Sequence, residues 1–335
     1  MIGIEAEAYF LPETKKSVHK ILEDEDVPFG TLAKNIDFRR DIGIEEVHVT
    51  EELSSKLALR AVQKALTKAG IRGSEIDLII DFTSIPQDYI GPTWSAAGFI
   101  QKEINATRAY CTAVTVGGCS SYHFAMEAAC AMISTEENID RVLLFAGDRT
   151  PDLNKTYYPI TVSSDGGSAL ILKKQCERGV ILAIDIISVG RLHDVWYVPG
   201  LGNRQNDEQK NLAKLLHMHC DMKKFNDGVI LTNFTLFNRL IERVLKKAGK
   251  KKQDIDMFIY PTFSTWDQNY FCKLTGIPRE KVYTQKLRER GHVQESDMVI
   301  NYVDALDEGS IKKGNLVMVL TNGAGFAWTA SIIRH

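Results

Sequence analysis

The sequence predicts an α/β protein made of two related halves, and two internal correspondences carry that expectation. The segment ALTKAGIRGSEIDLIIDFT, ending at Thr83, aligns without gaps with VLKKAGKKKQDIDMFIYPT, ending at Thr262. Ala69-Gly70 falls over Ala248-Gly249, and Glu75-Ile76-Asp77 over Asp254-Ile255-Asp256. Farther along, RVLLFAGD followed by DGGSALIL resembles NLVMVLTN followed by GAGFAWTASII at the C-terminus. Self-similarity on this scale marks a repeated supersecondary unit.

Each copy of the first repeat reads as a helix with apolar residues at helical spacing, a glycine C-cap, a polar turn and a short apolar strand. Each copy of the second reads as a buried strand leading through a loop and a Gly-rich hairpin to another strand. Strands are expected at Ile2–Phe10, Ile79–Thr83, Ala109–Val114, Val142–Ala146 and Ser168–Leu172 in the first half. In the second they are expected at Val180–Ser188, Met257–Tyr260, Val317–Leu320 and Ala327–Ile333. Helical stretches between them predict largely parallel sheets covered by helices. The charged run Lys173-Lys174-Gln175-Cys176-Glu177-Arg178 places the boundary between halves 1–174 and 175–335. Residues 200 to 225 are polar and poorly periodic, and read as an insertion or surface loop.

A hydrophobic fraction of 44% with 25% charged residues is ordinary for a globular chain. The formal net charge of −2 offers no field for gathering nucleic acid or anionic lipid. The basic run Lys246, Lys247, Lys250, Lys251 and Lys252 reads as a solvated helix end, with docking of an acidic carrier protein as the sharper alternative. No segment reaches the roughly 20 apolar residues needed to span a bilayer, and the N-terminus lacks a basic, apolar leader, so a cytoplasmic protein is expected. The six cysteines form no CxxC pair and read as reduced thiols. The cluster of His217, His219 and Cys220 lacks a second ligand group, so no metal is expected there.

The most suggestive local sequence is Ala113-Val114-Thr115-Val116-Gly117-Gly118-Cys119-Ser120-Ser121-Tyr122-His123. An apolar strand runs into two glycines, then a cysteine, then the helix-forming FAMEAACAMI. A cysteine at a helix N-terminus has its thiol pKa lowered, and small neighbours give a substrate carbonyl access to sulfur and backbone N–H groups. A buried structural cysteine after a glycine turn fits the same pattern. His123, four residues on, shares a helix face with Cys119 and is a candidate base or a packing histidine. The C-terminal Asn322-Gly323-Ala324-Gly325-Phe326-Ala327-Trp328 permits a tight turn or close approach to a ligand.

Taken together, these segments resemble the β-ketoacyl-acyl-carrier-protein synthase III family of the thiolase-like superfamily. The likeness runs from the opening strand with Leu11-Pro12, through Gly43-Ile44-Glu45-Glu46-Val47-His48, Gly117-Gly118-Cys119 and Ser164-Asp165-Gly166-Gly167-Ser168-Ala169. It continues through Ile311-Lys312-Lys313-Gly314 to Gly323-Ala324-Gly325-Phe326-Ala327-Trp328. The resemblance implies a thiolase-like five-layered α-β-α-β-α fold from two duplicated halves, and a homodimer. It also implies a nucleophilic cysteine at Cys119 and an oxyanion hole from the N–H groups of Cys119 and Gly325. No cofactor is implied to be permanently bound; the donor is an acyl-phosphopantetheine thioester on a carrier protein or coenzyme A.

Two departures reshape that expectation. Members that condense by decarboxylation pair the cysteine with a histidine after a strand-end proline and an asparagine after a glycine. Here the strand end reads Tyr260-Pro261-Thr262, and the other position reads Arg290-Gly291-His292. Threonine cannot shuttle a proton as an imidazole does, whereas His292 can deprotonate Cys119 or an incoming hydroxyl or amine. The catalytic set expected is therefore Cys119, His292 and Thr262. The family's coenzyme A clasp is not matched at Asn35-Ile36-Asp37-Phe38-Arg39-Arg40 or at Tyr157-Tyr158-Pro159, although Phe38, Arg39 and Arg40 suit a phosphopantetheine arm. Tyr89, Trp94 and Trp266 are candidates for lining an acyl tunnel, or for the core or dimer interface. The leading expectation is an acyltransferase of specialised biosynthesis passing the acyl group to a small-molecule acceptor. A ketoacyl synthase using Cys119, Thr262 and His292 is the first alternative, and a non-catalytic scaffold subunit the second.

Overall fold

The computed structural model describes all residues except 26–30, 34–35, 85–95, 116, 151–154 and 198–218. The expected tunnel residues Tyr89 and Trp94, together with Asn35, His217 and most of the 200–225 stretch, lie outside the described residues.

In the first half, β1 (Ile2–Phe10), α1 (Ser54–Ala69), β2 (Leu78–Asp81), β3 (Tyr110–Ala113), α2 (Ser121–Thr135), β4 (Arg141–Asp148) and β5 (Gly166–Lys174) follow one another. In the second, β6 (Val180–Ser188), α3 (Leu231–Ala248), β7 (Met257–Ile259), α4 (Thr265–Thr275), β8 (Val282–Tyr283), α5 (Asp297–Asp307), β9 (Leu316–Gly323) and β10 (Ala327–Arg334) do the same. The ten strands lie in the order β8-β7-β9-β10-β6-β1-β5-β4-β2-β3. Five strands of one half and five of the other meet at β1 and β6, where Gly3 pairs with Val180.

The repeat seen in the sequence acquires a physical form here. Both α1 and α3 end on a left-handed glycine, Gly70 at φ +67° and Gly249 at φ +62°, which reverses the chain without a Cβ clash. Each is followed by a one-turn helix in which Glu75 or Asp254 accepts from the backbone N–H of Arg72 or Lys251. Each then enters its strand, β2 or β7.

The expectation of largely parallel sheets is corrected: five of the nine pairings in the main sheet are antiparallel. In each half the two long strands, β4 with β5 and β9 with β10, pair antiparallel; residues 324–326 leave no length for a crossover helix between β9 and β10, whereas residues 149–165 between β4 and β5 include a small hairpin, Thr156–Tyr157 with Thr161–Val162. Only the shorter β2, β3, β7 and β8 pair in parallel with their neighbours. The edge strand β8 was not anticipated; two residues are too few to show a period.

Helices sort into three layers around the two five-stranded halves of this sheet. Helix α1 covers β1, β4 and β5, and α3 covers β6 and β10. Between the two halves, α2 touches β4 and β5 on one side and β6 and β10 on the other, while α5 touches β1, β5, β7 and β9. The strands are therefore buried on both faces. Leu78, Ile80, Leu144, Leu170 and Leu172 face the central layer, whereas Ile79, Leu143, Phe145, Ala169 and Ile171 face α1. That two-sided burial explains why the strands read as continuous apolar runs. No helix among the described residues is long and apolar enough to cross a membrane.

His123 belongs to this central layer and is a core histidine, which settles its alternative reading against a base. Its Nδ1 lies 2.8 Å from the Thr329 hydroxyl and its Nε2 3.1 Å from the Ser331 hydroxyl, so both ring nitrogens are occupied. Burial depresses its pKa to about 3 from an ordinary 6.5. The native ring stays neutral while the unfolded one takes up a proton below 6.5, so the stability present above that value is lost as pH falls toward 3. Chemical denaturation from pH 7 to pH 4 should show this loss at up to about 1.4 kcal/mol per pH unit from this ring. The variant His123→Gln should remove that part of the slope.

Candidate active site

Cys119 sits in the one-turn helix Gly118–Ser120 that leads into α2, and it is 7% exposed. This turn is pressed against the end of β9. A Cβ on Gly323 would stand 1.8 Å from the Gly117 carbonyl oxygen and 2.6 Å from the Ser120 nitrogen. Ser120 adds a side-chain tie, its hydroxyl donating to the Ala327 carbonyl at 2.9 Å. The glycines read from the sequence thus serve close approach between the halves, one loop from each. Gly325, the second expected oxyanion donor, lies two residues beyond Gly323 in the same loop.

The second half supplies the imidazole. His292 Nε2 lies 3.5 Å from the Cys119 sulfur. Its Nδ1 lies 2.6 Å from Asp297 Oδ2, an arrangement that places the proton on Nδ1 and the free lone pair of Nε2 toward sulfur. The Phe263 ring packs edge-on against the imidazole at 4.7 Å. Backbone bonds fix the same residue from the other half: His292 N–H donates to the Val162 carbonyl and Ser164 N–H donates to the His292 carbonyl.

Asp297 was missed in the sequence. It opens α5, and its carboxylate also accepts the N–H of Val293 at 2.8 Å and of Thr262 at 2.6 Å. The available signal was a Ser-Asp pair opening the apolar run MVINYVDAL five residues after His292, where a helix N-terminus favours a carboxylate. Thr262 is brought close through that backbone contact. Its hydroxyl turns instead to Asn301, whose amide donates to it at 3.2 Å and to the Tyr260 carbonyl at 2.9 Å. Arg290 holds Asn301 and Asp304 through its two terminal nitrogens.

The electrostatics correct one expectation. The placement of Cys119 at a helix start suggested an acidic thiol, but burial pushes its pKa well up, and Glu295, Asp297 and Asp148 push it further. Nearby, burial raises the Asp267 carboxyl to about 7, partly offset by Tyr260 and His292. The resting sulfur is thus a thiol with an imidazole beside it, a pair that can ionise only by passing the proton to Nε2.

The other expected residues fall elsewhere. The two neighbourhoods of the missing coenzyme A clasp do converge, with Phe38 and Tyr158 in edge contact at 5.2 Å. Arg39 and Arg40 line an open groove of about 840 Å³ with Asp37, Glu45 and Glu46, so its charge is mixed. Trp266 is half-buried at the start of α4, with its indole N–H lacking a partner. No group of three or more potential metal ligands occurs among the described residues.

Enlarging Gly323 tests the contact between the loops. Gly323→Ala should lower the denaturation midpoint by the equivalent of about 1–3 kcal/mol through overpacking. It should also slow alkylation of Cys119. Gly98→Ala, with nothing within 4 Å of the added methyl, should do neither.

Residues 245–335 match the family described as 3-oxoacyl-[acyl-carrier-protein (ACP)] synthase III, C terminal. The chain is 27% identical over 300 residues to a β-ketoacyl-[acyl-carrier-protein] synthase III of Clostridium perfringens, covering 88% of this chain and 89% of that one. A synthase III of the same name from Synechocystis is 29% identical over 290 residues, covering 85% and 84%. Among solved structures, 3-oxoacyl-[acyl-carrier-protein] synthase III from Aquifex aeolicus superposes with a TM-score of 0.78 at 20% identity over the whole of both chains. The acyltransferase ChlB3 does so at 0.82 and 20% identity, over 99% of this chain and 97% of that one. Their fold is shared, and with the sequence matches it shows a chain similar to the β-ketoacyl-acyl-carrier-protein synthase III family along most of its length and an enzyme of the acyltransferase class.

Proposed function

We propose that this enzyme takes an acyl group from a carrier-protein or coenzyme A thioester onto Cys119 and passes it to a hydroxyl or amine of a small-molecule acceptor in specialised biosynthesis. The observation that carries the reading is the hydrogen-bonded series from the Cys119 sulfur through His292 to Asp297. As sulfur attacks the thioester carbonyl, its proton passes to Nε2, and Asp297 stabilises the imidazolium through Nδ1–H. The N–H groups of Cys119 and Gly325 are proposed to hold the oxyanion. Collapse expels the donor thiolate, which takes the proton from Nε2. The acceptor then gives its own proton to the neutral ring as its oxygen or nitrogen attacks the acyl-enzyme, and collapse returns a free Cys119 thiol.

Thr262 acts in this scheme as a positioning residue, since its backbone N–H orients the Asp297 carboxylate. Its hydroxyl, bound to Asn301, supports the lower standing of carbon–carbon condensation, because an enolate needs a second strong donor where Thr262 stands. Retention of the paired Cys119 and His292 weighs against a non-catalytic scaffold. The relatives' names support carrier-protein delivery. The same reading takes a cytoplasmic homodimer with no permanent cofactor, and a division between its halves at residues 174 and 175.

Intact-protein mass spectrometry with a panel of acyl thioesters tests the reading. An adduct on Cys119 that is chased by alcohols or amines, without carbon dioxide release from malonyl thioester, is the expected result. Cys119→Ala should form no adduct, and His292→Ala should acylate about 10²–10⁴-fold more slowly. Carbon dioxide release dependent on a second acyl substrate would instead establish the ketosynthase, and no adduct with any donor the scaffold.

A further inference from the structure

A second cluster of titratable groups lies behind the nucleophile and has no part in the scheme above. Asp148 ends β4, and Glu295 sits in the turn Gln294–Ser296 ahead of α5; each is only 1% exposed. That turn packs against both β4 and the Gly118–Ser120 turn that carries Cys119. Ser296 donates to Asp148 at 3.2 Å and accepts from Ser168 at 2.9 Å. Neither Glu295 oxygen receives a well-formed hydrogen bond; its polar neighbours are the Asp148 carboxyl first, then its own backbone N–H and that of Ser84.

Two carboxylates in contact inside a dry core cannot both be charged, because each lacks solvation and repels the other. A proton held between them removes one charge and supplies the donor that the Glu295 oxygens lack. Burial pushes both acids above their ordinary range, and their contact pushes Asp148 further. The titratable groups facing the pair are Asp81 on β2, Tyr157, Cys119 and His292; of these only His292 can carry positive charge.

We propose that Asp148 and Glu295 share one proton as a positioning pair, whose single negative charge keeps Cys119 in its uncharged form until His292 takes its proton. The consequence is chemical: a thiol that does not ionise by itself is protected from stray electrophiles and oxidants. This deepens the proposed function, since it rests on Cys119 being the nucleophile.

The test is the pH dependence of Cys119 alkylation by iodoacetamide, read by peptide mass in the intact enzyme, with no acyl substrate present. The double variant Asp148→Asn/Glu295→Gln removes the charge of the pair, so its alkylation midpoint should fall by on the order of one pH unit relative to the parent. Glu295→Gln alone, whose amide stands in for the protonated acid beside an ionised Asp148, keeps the charge and should leave the midpoint in place, which tests the shared proton even if the double variant does not fold. Ser168→Ala perturbs the same cluster without touching charge and should leave the midpoint in place. An unchanged midpoint in the folded double variant, a fall in Glu295→Gln alone, or an equal shift in Ser168→Ala, would overturn the pair. Failure of acyl transfer would appear separately, as a missing thioester adduct with the alkylation shift intact.

Discussion

The structure depends on how His292 is held. Its ring approaches the Cys119 sulfur because its backbone is stitched to the other half, its N–H to Val162 and its carbonyl to Ser164, while its side chain is tied to Asp297 at the start of α5. Without the backbone ties the ring would be placed only by its side-chain bond to Asp297. Without Asp297 it would be free to choose the other tautomer and turn its N–H toward sulfur. A mutual approach of 3.5 Å between groups on opposite halves is therefore a property of the interface between them.

The same interface accounts for the charge around the sulfur. Packing two halves face to face buries their strand ends and helix starts, and here those carry Asp148 at the end of β4, Asp267 in α4, Glu295 ahead of α5 and Asp297 at its start. A cysteine surrounded by acids is a poor spontaneous thiolate, which changes what must be asked of the base. Activation has to come from proton transfer to a correctly oriented imidazole rather than from a standing ion pair. This is why one hydrogen bond at Nδ1 matters more than the helix N-terminus that Cys119 occupies.

Much of this was legible in the chain. The repeat gave the duplicated architecture because helix, glycine cap, turn and strand impose a local pattern that survives divergence, down to Gly70 and Gly249. The glycine junction at Cys119 and the substitution of Thr262 and His292 were legible as positions in an ordered set of motifs. Strand direction was not, because alternation of strands and helices does not reveal whether a link such as the one between β9 and β10 turns back tightly. Asp297, Asn301 and Glu295 were hidden for a related reason. A polar residue at a helix start has an ordinary local explanation, and only the fold shows that Asp297 accepts from His292 or that Glu295 meets Asp148. His123 failed as a base for the complementary reason: helical spacing put it near Cys119, but Thr329 and Ser331 on β10 claim both its nitrogens.

The strand order adds a last step. Reading outward from the junction of β1 and β6, the two halves run β1-β5-β4-β2-β3 and β6-β10-β9-β7-β8, so β3 and β8 hold equivalent places. Cys119 lies after β3 and just before α2; His292 lies after β8 and just before α5. The two groups that meet thus stand in corresponding stretches of the two halves, each ahead of a central helix. Each helix directs the positive end of its dipole toward the same point. On the proposed mechanism negative charge develops there as the carbonyl oxygen is attacked, and both dipoles favour it, while the buried acids oppose only the charge on sulfur that precedes it. Duplication thereby sets the two effects at different atoms, which is what allows one site to disfavour a resting thiolate and still favour the oxyanion that follows.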